Sequence, residues 1–233
     1  MIISEKQLKQ ILTDHRKWLY GEAGGACANM SGMDLSGVKI AGANLAHALL
    51  TGADLTGAML VRANLSGADL SGATMINADL SRANFYRATI SQADLSGARL
   101  VRANLSGTDM TRCNLAGATL AGANLVRSDL AGADLNEADL TGTDLERADL
   151  TLADLTRCDL SGANLSFADL SYANLSRANL ARVNLAGVDI SRANLSYANL
   201  AGANLTRADM TLTDLNETNL TGIIGLDNTE KEE

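Results

Sequence analysis

The stretch from Thr51 to Leu70, TGADLTGAMLVRANLSGADL, repeats a five-residue unit without interruption. In each unit a large apolar residue occupies the position divisible by five, and a small residue, usually Ala, lies two positions before it. The same phase continues from Met30 to Leu220 and gives 39 consecutive units. A period of five therefore organises most of the chain.

This spacing fits neither an α-helix nor a long strand. Apolar residues five apart drift around a helix, and the inward residues of a strand recur at every second position. The unit Ala53–Gly57 is instead predicted to point its first and third residues inward and its second outward, and to turn a corner with its last two. Of the 21 glycines, 17 occupy this corner position, where a type II turn needs a positive φ. Arg82 and Tyr172 replace Gly there and predict a different type of turn.

Units such as Ala63–Gly67 (ANLSG) and Ala163–Phe167 (ANLSF) resemble the repeat of the pentapeptide-repeat family. The resemblance covers 195 of 233 residues. It implies an all-β solenoid, a right-handed quadrilateral β-helix of about ten coils, with a length of roughly 47 Å at about 4.8 Å per coil. We expect a capping helix in residues 1–27, the β-helix in residues 28–222, and an apolar cap or dimer segment with a disordered acidic tail in residues 223–233.

Residues 4–20 break the five-residue period and predict an α-helix. Ser4 and Gln7 form a capping-box pattern at its start, and Gly21 can end it. The apolar stripe of this helix is expected to cover the open backbone edge of the first coil. The covering residues are Leu8, Ile11, Leu12, Trp18 and Leu19, with His15 on the same face.

The C-terminal end has no comparable helix in the sequence. Ile223, Ile224 and Leu226 follow the last unit and form a small apolar cluster. Burying this cluster against a two-fold copy would close both ends without forming a filament. We therefore expect a homodimer joined through the C-terminal ends.

Composition and charge narrow the class of protein. The chain is 46% hydrophobic but only 3% aromatic and has no Pro, which indicates a core of Leu and Ala. A net charge of −8 disfavours direct contact with nucleic acid. No apolar run approaches the roughly 18 residues of a membrane span. The N-terminus is too polar for a signal peptide, and three unpaired cysteines suit a reducing compartment, so we expect a cytoplasmic protein.

The sequence offers no recognisable catalytic or cofactor-binding motif. His15 and His47 are too few and too far apart for a catalytic triad or a His-based metal site. The glycines recur at corners without the strand-to-helix context of a phosphate-binding loop. We expect no enzymatic activity, no metal and no cofactor.

Four units per coil would stack residues that are twenty apart. One outward column, from Asn44 to Asn204, is Asn except for Asp144 and predicts a ladder of side-chain amides. Another column ends in six consecutive aspartates, whose charges must be compensated. They accept local backbone hydrogen bonds and face water, or they face a protein partner, or they bind cations. The candidate partner-binding residues are Asp109, Asp129, Asp149, Asp169, Asp189 and Asp209, with Phe167 and Tyr172 beside them.

The sequence leaves two hypotheses for the function. Residues 123–222 carry a net charge of −7, so an electrostatic partner meets the C-terminal half first. The first hypothesis is a rigid, non-enzymatic scaffold that binds an unknown protein partner. The alternative is implied by the family resemblance: a DNA-mimicking protein that binds DNA gyrase or topoisomerase IV and inhibits these enzymes or protects them from quinolones.

Overall fold

The computed structural model describes residues 3–225 as one α-helix followed by a solenoid. Helix α1 spans Glu5–Leu19. From Asn29 onward, each five-residue unit pairs in parallel with the unit twenty residues later through a single bridge residue. The first bridge joins Asn29 with Leu49, and the last joins Asn204 with Ile224. The fold is a right-handed quadrilateral β-helix of about ten coils, as the resemblance implies.

The bridge residues define the four sides of the solenoid in chain order. The first face runs from Asn29 to Asp209, the second from Asp34 to Asp214, the third from Lys39 to Asn219 and the fourth from Asn44 to Ile224, each in steps of twenty. Residues twenty apart therefore lie next to each other in adjacent coils, as the four units per coil implied by the family resemblance predict.

The 39 corners of the described solenoid agree in the φ of their second residue. The φ of the second corner residue is positive at every corner, from +53° at Arg112 to +71° at Gly202. The expectation of a different turn at Arg82 and Tyr172 is wrong, because their φ values are +59° and +60°. The corner N–H donates to the next coil, as Arg82 does to the carbonyl of Val101 at 2.9 Å. These bonds hold a non-glycine residue in a conformation that costs it about 1–2 kcal/mol.

The interior is a stack of Leu and Ala layers. The large inward residues from Met30 to Leu205 are at most 8% exposed, and Phe85 is fully buried among them. A polar residue in the small inward position has its hydroxyl satisfied: Thr108 donates to the carbonyl of Phe85 at 2.8 Å. The predicted inward register is therefore the observed one.

Helix α1 begins and ends with the predicted signals. The Ser4 side chain accepts from the N–H of Gln7, and the Gln7 side chain accepts from the N–H of Ser4, which completes the capping box. Beyond the helix, Gly21 has a φ of +68°. The N–H of Glu22 donates back to the carbonyl of Lys17 at 2.8 Å, a Schellman closure of the last turn.

The covering side of α1 is narrower than the apolar stripe in the sequence. Leu8 is buried, and Ile11 and Leu12 pack against the core while partly exposed. Leu19 is half-buried. Residues of the first helical turns therefore supply most of the cover for the Leu stack.

His15 is the buried polar contact between α1 and the first coil. Its side chain is fully buried, and its Nδ1 accepts a hydrogen bond from the N–H of Ala28 at 3.0 Å. Burial lowers the pKa of His15, the backbone of Ala46 opposes this shift, and nearby His47 adds to it. The Trp18 ring stacks on His15 with centroids 5.6 Å apart. Trp18 stays 41% exposed, so it covers His15 and not the Leu stack, contrary to the expectation for this residue.

The two ends of the solenoid differ. In the first coil Met30 and Leu35 are fully buried beneath α1. In the last coil the corresponding core residues Met210, Leu215 and Leu220 are partly exposed. Within residues 3–225, nothing covers the C-terminal coil as α1 covers the N-terminal one.

Ile223 and Ile224 extend the strand pairing beyond residue 222. Ile223 takes the small inward position and is partly buried. Ile224 pairs with Asn204 and points outward from the fourth face, 61% exposed. Only Ile223 of this pair therefore faces the open end of the stack. Leu226 and the acidic tail lie outside the described residues.

Candidate functional site

The six predicted aspartates lie in one unbroken row on the first face. Successive members are bridge partners in adjacent coils, about 4.8 Å apart along the solenoid. Five are half-buried, and the last is exposed. We call this row the acidic strip; it consists of Asp109, Asp129, Asp149, Asp169, Asp189 and Asp209.

Every carboxylate in the acidic strip makes a short local hydrogen bond. Its Oδ1 accepts from the backbone N–H two residues later at 2.9 to 3.0 Å. At the end of the strip, the Thr211 hydroxyl and then its N–H lower the pKa of Asp209. One oxygen thus helps to form each corner. The Oδ2 oxygens have no hydrogen-bond partner among residues 3–225.

Two exposed aromatic side chains flank the acidic strip at the level of Asp169. Phe167 occupies the preceding corner and is 58% exposed, and Tyr172 occupies the following corner and is 53% exposed. The Arg147 guanidinium lies 5.6 Å from the Phe167 ring centroid, and that of Arg192 lies 5.4 Å from the Tyr172 centroid. The fold therefore brings together the predicted strip and both predicted aromatic residues, and adds a cation to each ring.

The position of Phe167 depends on a glycine in the next coil. A Cβ added at Gly187 would lie 2.8 Å from two carbons of the Phe167 ring. His47 extends over Gly67 in the same way, at 2.6 Å from a Cβ placed there. Glycine at these corners leaves room for a side chain from the preceding coil, which is a second reason for its presence besides the positive φ.

The nucleophilic and metal-binding side chains of the described chain do not form a reactive cluster. Cys113 and Cys158 occupy small inward positions, and burial raises the pKa of Cys113 to about 12 and that of Cys158 further still. Both are therefore protonated thiols at neutral pH. Within residues 3–225, no three His, Cys, Asp or Glu side chains form a group that could hold a metal ion. Helix α1 is too short and too polar to cross a membrane.

The fourth face carries the predicted amide ladder. Each Nδ2 in the ladder donates to the Oδ1 of the residue twenty positions earlier, at 2.9 to 3.1 Å. Asn124 is exposed and interrupts the ladder. The donating residues are Asn64, Asn84, Asn104, Asn164, Asn184 and Asn204.

Arginines border the fourth face, a feature that the sequence analysis missed. The fourth face with its two corners, taken from residues 41–47 to residues 201–207 in steps of twenty, carries eight arginines and two acidic residues. Both acids, Asp144 and Glu146, lie in a single coil. Sorting the corner residues in steps of twenty would have revealed this surplus, whereas summing charge along the chain conceals it. The arginines are Arg62, Arg82, Arg87, Arg102, Arg127, Arg147, Arg182 and Arg207.

Comparison with known proteins identifies the repeat. A family model described as pentapeptide repeats matches repeatedly, over residues 28–67, 39–77, 63–100, 98–136, 120–157, 158–196 and 184–222. The chain belongs to the pentapeptide-repeat family. No curated protein sequence matches it.

Solved pentapeptide-repeat structures resemble the chain to different extents. HetL, a protein involved in heterocyst differentiation regulation from the cyanobacterium Nostoc sp. strain PCC 7120, is 35% identical, with 98% of this chain and 99% of that chain covered and a TM-score of 0.88. A thylakoid-lumen protein of Arabidopsis thaliana is 36% identical over 40% of this chain and 64% of its own, with a TM-score of 0.39. The plasmid-mediated fluoroquinolone resistance protein QnrB1 is 24% identical over 86% of this chain and 92% of its own, with a TM-score of 0.37.

Proposed function

We propose that the chain is a rigid, non-enzymatic scaffold that binds a protein partner through the acidic strip together with Phe167 and Tyr172. The observation that carries this proposal is the pair of exposed aromatic rings on either side of Asp169, each stacked with an arginine. Aromatic side chains are enriched at the energetic centres of protein interfaces. Beside a row of carboxylates, they suit a partner that presents basic groups.

The acidic strip is organised for binding before a partner arrives. The Oδ1 atoms are fixed by backbone N–H groups, and the face is backed by fully buried residues such as Leu150 and Leu170. A partner that pairs with the Oδ2 atoms therefore orders few side chains, which lowers the entropic cost of association. The similarity to HetL along nearly the whole chain supports a regulatory role over an enzymatic one.

A matched pair of variants tests the acidic strip. Changing Asp129, Asp149, Asp169 and Asp189 to Asn keeps an oxygen that can accept each corner N–H and removes four charges. The control changes four aspartates on the second and third faces to Asn, with the same net charge: Asp134, Asp139, Asp154 and Asp159. A partner is captured with the wild-type protein and purified, and its Kd is then measured for all three proteins. We expect the strip variant to bind at least about tenfold more weakly and the control to stay within about twofold. Equal affinities for all three proteins would mean that the strip only faces water.

We also propose a homodimer joined through the C-terminal ends. The partly exposed Met210, Leu215 and Leu220 of the last coil support it, since stacking two such ends would bury these side chains. Ile223→Asp together with Ile224→Asp should then give monomers, and Ile224→Asp alone should have the smaller effect because Ile224 points outward. A monomeric mass for the wild-type protein by light scattering at tens of micromolar contradicts this assembly.

We also propose a cytoplasmic location, which the free thiols support. Cys27, Cys113 and Cys158 are all unpaired, which suits a reducing compartment.

Binding to a type II topoisomerase is the narrower alternative. The acidic strip favours it, whereas the arginines along the fourth face weigh against mimicry of a uniformly charged duplex. A gyrase supercoiling assay with the pure protein separates the two functions. Inhibition or quinolone protection at micromolar protein supports the alternative, and no effect removes it.

A further inference from the structure

The arginines at the N-terminal half of the fourth face have no counterion among the described residues. From residues 41–47 to residues 121–127, this face and its corners contain five arginines and no acidic residue. All five are exposed, and the ion pairs within residues 3–225 involve other side chains. We call this set the arginine patch; it consists of Arg62, Arg82, Arg87, Arg102 and Arg127.

Strain and charge repulsion oppose arginine at these corners, and within residues 3–225 only Arg87 among them has an aromatic partner, the Tyr86 ring 5.0 Å away. Every arginine of the patch has a φ between +54° and +59°, a conformation that glycine adopts at 17 other corners with less strain. Three of the five, Arg62, Arg82 and Arg102, stack in successive coils and repel one another. Both effects oppose folding, so an anionic counterpart is the natural reason for this arrangement.

The fourth face leaves the arginines as its recognition groups. Its amides are engaged with each other along the ladder, as Asn84 is with Asn64 at 3.0 Å and Asn104 with Asn84 at 2.9 Å. The stem of Arg102 runs along its corner, with Cγ 3.6 Å from a Cβ placed on Gly122 in the next coil. The guanidinium groups of Arg62, Arg82 and Arg102 therefore follow the solenoid axis beside the engaged amides of Asn64, Asn84 and Asn104.

The spacing of the row selects the shape of the anion. Adjacent coils are about 4.8 Å apart, and carboxylates that occur once per turn of an α-helix are about 5.4 Å apart. Across three coils the mismatch is only about 1.2 Å, which flexible arginine stems absorb. In an extended strand, the carboxylates on one face are about 6.6 Å apart, and the mismatch grows to almost 4 Å.

The rest of the molecule limits the length of the anion. The first face, one corner away, carries the acidic strip, and the whole chain has a net charge of −8. Since charges are screened over about 8 to 10 Å, a segment confined to the row of Arg62, Arg82 and Arg102 meets less of this repulsion than a long nucleic acid does. We propose that the arginine patch binds an acidic α-helix of a partner protein, laid along the solenoid axis with one carboxylate per turn facing the row. This inference rests on the proposed scaffold role, and its row of Arg62, Arg82 and Arg102 lies on the corner between the third and fourth faces, which does not border the acidic strip.

Two variants with equal charge test the proposal. The test variant is R62G/R82G/R102G, and the control is R112G/R157G/R177G on the other two corners. Both place glycine where the corner conformation favours it, and both lower the net charge by three. The probe is a labelled alanine-based helical peptide of about 20 residues with glutamate once per turn on one side. A peptide of the same composition with glutamates distributed around the helix, and an oligothymidylate, serve as comparison probes.

We expect the wild-type protein to bind the one-sided peptide in about 20 mM salt and to bind it more weakly in about 150 mM salt. The test variant should bind about tenfold more weakly, as the loss of three exposed ion pairs implies, and the control should stay within about twofold. The variant with a neutralised acidic strip should bind this peptide at least as well as the wild-type protein. The two proposals can therefore fail independently of each other. Equal losses in both arginine variants, equal binding of the two peptides, tighter binding of the oligothymidylate, or no binding in low salt would each overturn the proposal.

Discussion

Replacing Leu145 by Ala tests the inward register at the middle of the solenoid. Leu145 is 1% exposed, and Leu125 and Leu165, in the adjacent coils of the same stack, are fully buried. Burial of a Leu side chain contributes about 1.5–3 kcal/mol, and the cavity left by truncation adds to the loss. Because the coils on both sides are fixed by backbone bridges at these levels, the site cannot collapse around Ala. We expect a loss of about 3–5 kcal/mol in the free energy of unfolding, the upper part of the range for such changes.

The measurement is urea-induced unfolding followed by circular dichroism, with Leu215→Ala as the control. Leu215 is the equivalent core residue of the last coil but is partly exposed, so the same truncation should cost about 1–2 kcal/mol there. A loss below about 0.5 kcal/mol at Leu145 would show that this side chain does not point into the stack. Equal losses at Leu145 and Leu215 would show that the core of the last coil is covered as well as the core in the middle of the solenoid.

Three further predictions follow from local geometry. Arg82→Gly should stabilise the fold by about 1 kcal/mol because Arg82 has a φ of +59°. Arg82→Ala should give no increase in stability, as measured by thermal unfolding. Equal stabilities of the two variants would contradict backbone strain at this corner. Gly187→Ala should lower the free energy of unfolding by at least about 1 kcal/mol more than Gly117→Ala does. A Cβ would meet the Phe167 ring at Gly187 but open space at Gly117. Equal losses of stability in urea unfolding would contradict this contact. Burial lowers the pKa of His15, so the unfolded state binds the proton more readily, and the stability of the α1 contact should fall as the pH drops below about 6.5 towards the lowered pKa. Trp18 fluorescence reports on this contact, and a His15→Gln variant with the same pH response would refute the assignment.

The inward residues could be predicted because the solenoid repeats the same short unit along its whole length. Each residue has its main neighbours at fixed offsets of about five and twenty along the chain; the five-residue period specifies what points inward, and the family resemblance supplies the four units per coil that specify what stacks. The unit Ala53–Gly57 follows from that period, and the amide ladder follows once the four units per coil that the family resemblance implies are added. The capping box of Ser4 and Gln7 was equally visible because it is a short-range signal.

The features that sequence reasoning missed depend on hydrogen bonds between coils, or on which of two neighbouring side chains takes a buried position. The corners at Arg82 and Tyr172 were assigned by residue preference, but hydrogen bonds from the next coil set their conformation. The apolar character of Trp18 predicts a place over the first coil, but His15 occupies the buried position beside it. The apolar side chain of Ile224 predicts a place in the C-terminal cap, but its position in the five-residue phase points it outward.

The corners, and not the core, distinguish this solenoid from a generic one. Twelve of the 39 corners carry arginine in a left-handed conformation, and only Arg147 and Arg157 among them make ion pairs within residues 3–225. Glycine would relieve strain at each of these corners without altering the bridges or the Leu stack. The core residues specify the coil, and they would do so equally well with glycine at every corner. The arginines and aromatic residues at the corners therefore differentiate the surface: eight of the twelve arginines border the fourth face, and two of the exposed corner rings, Phe167 and Tyr172, border the acidic strip. A rod built this way can present opposite charges on adjacent faces, and each face can be changed at its corners while the core stays the same.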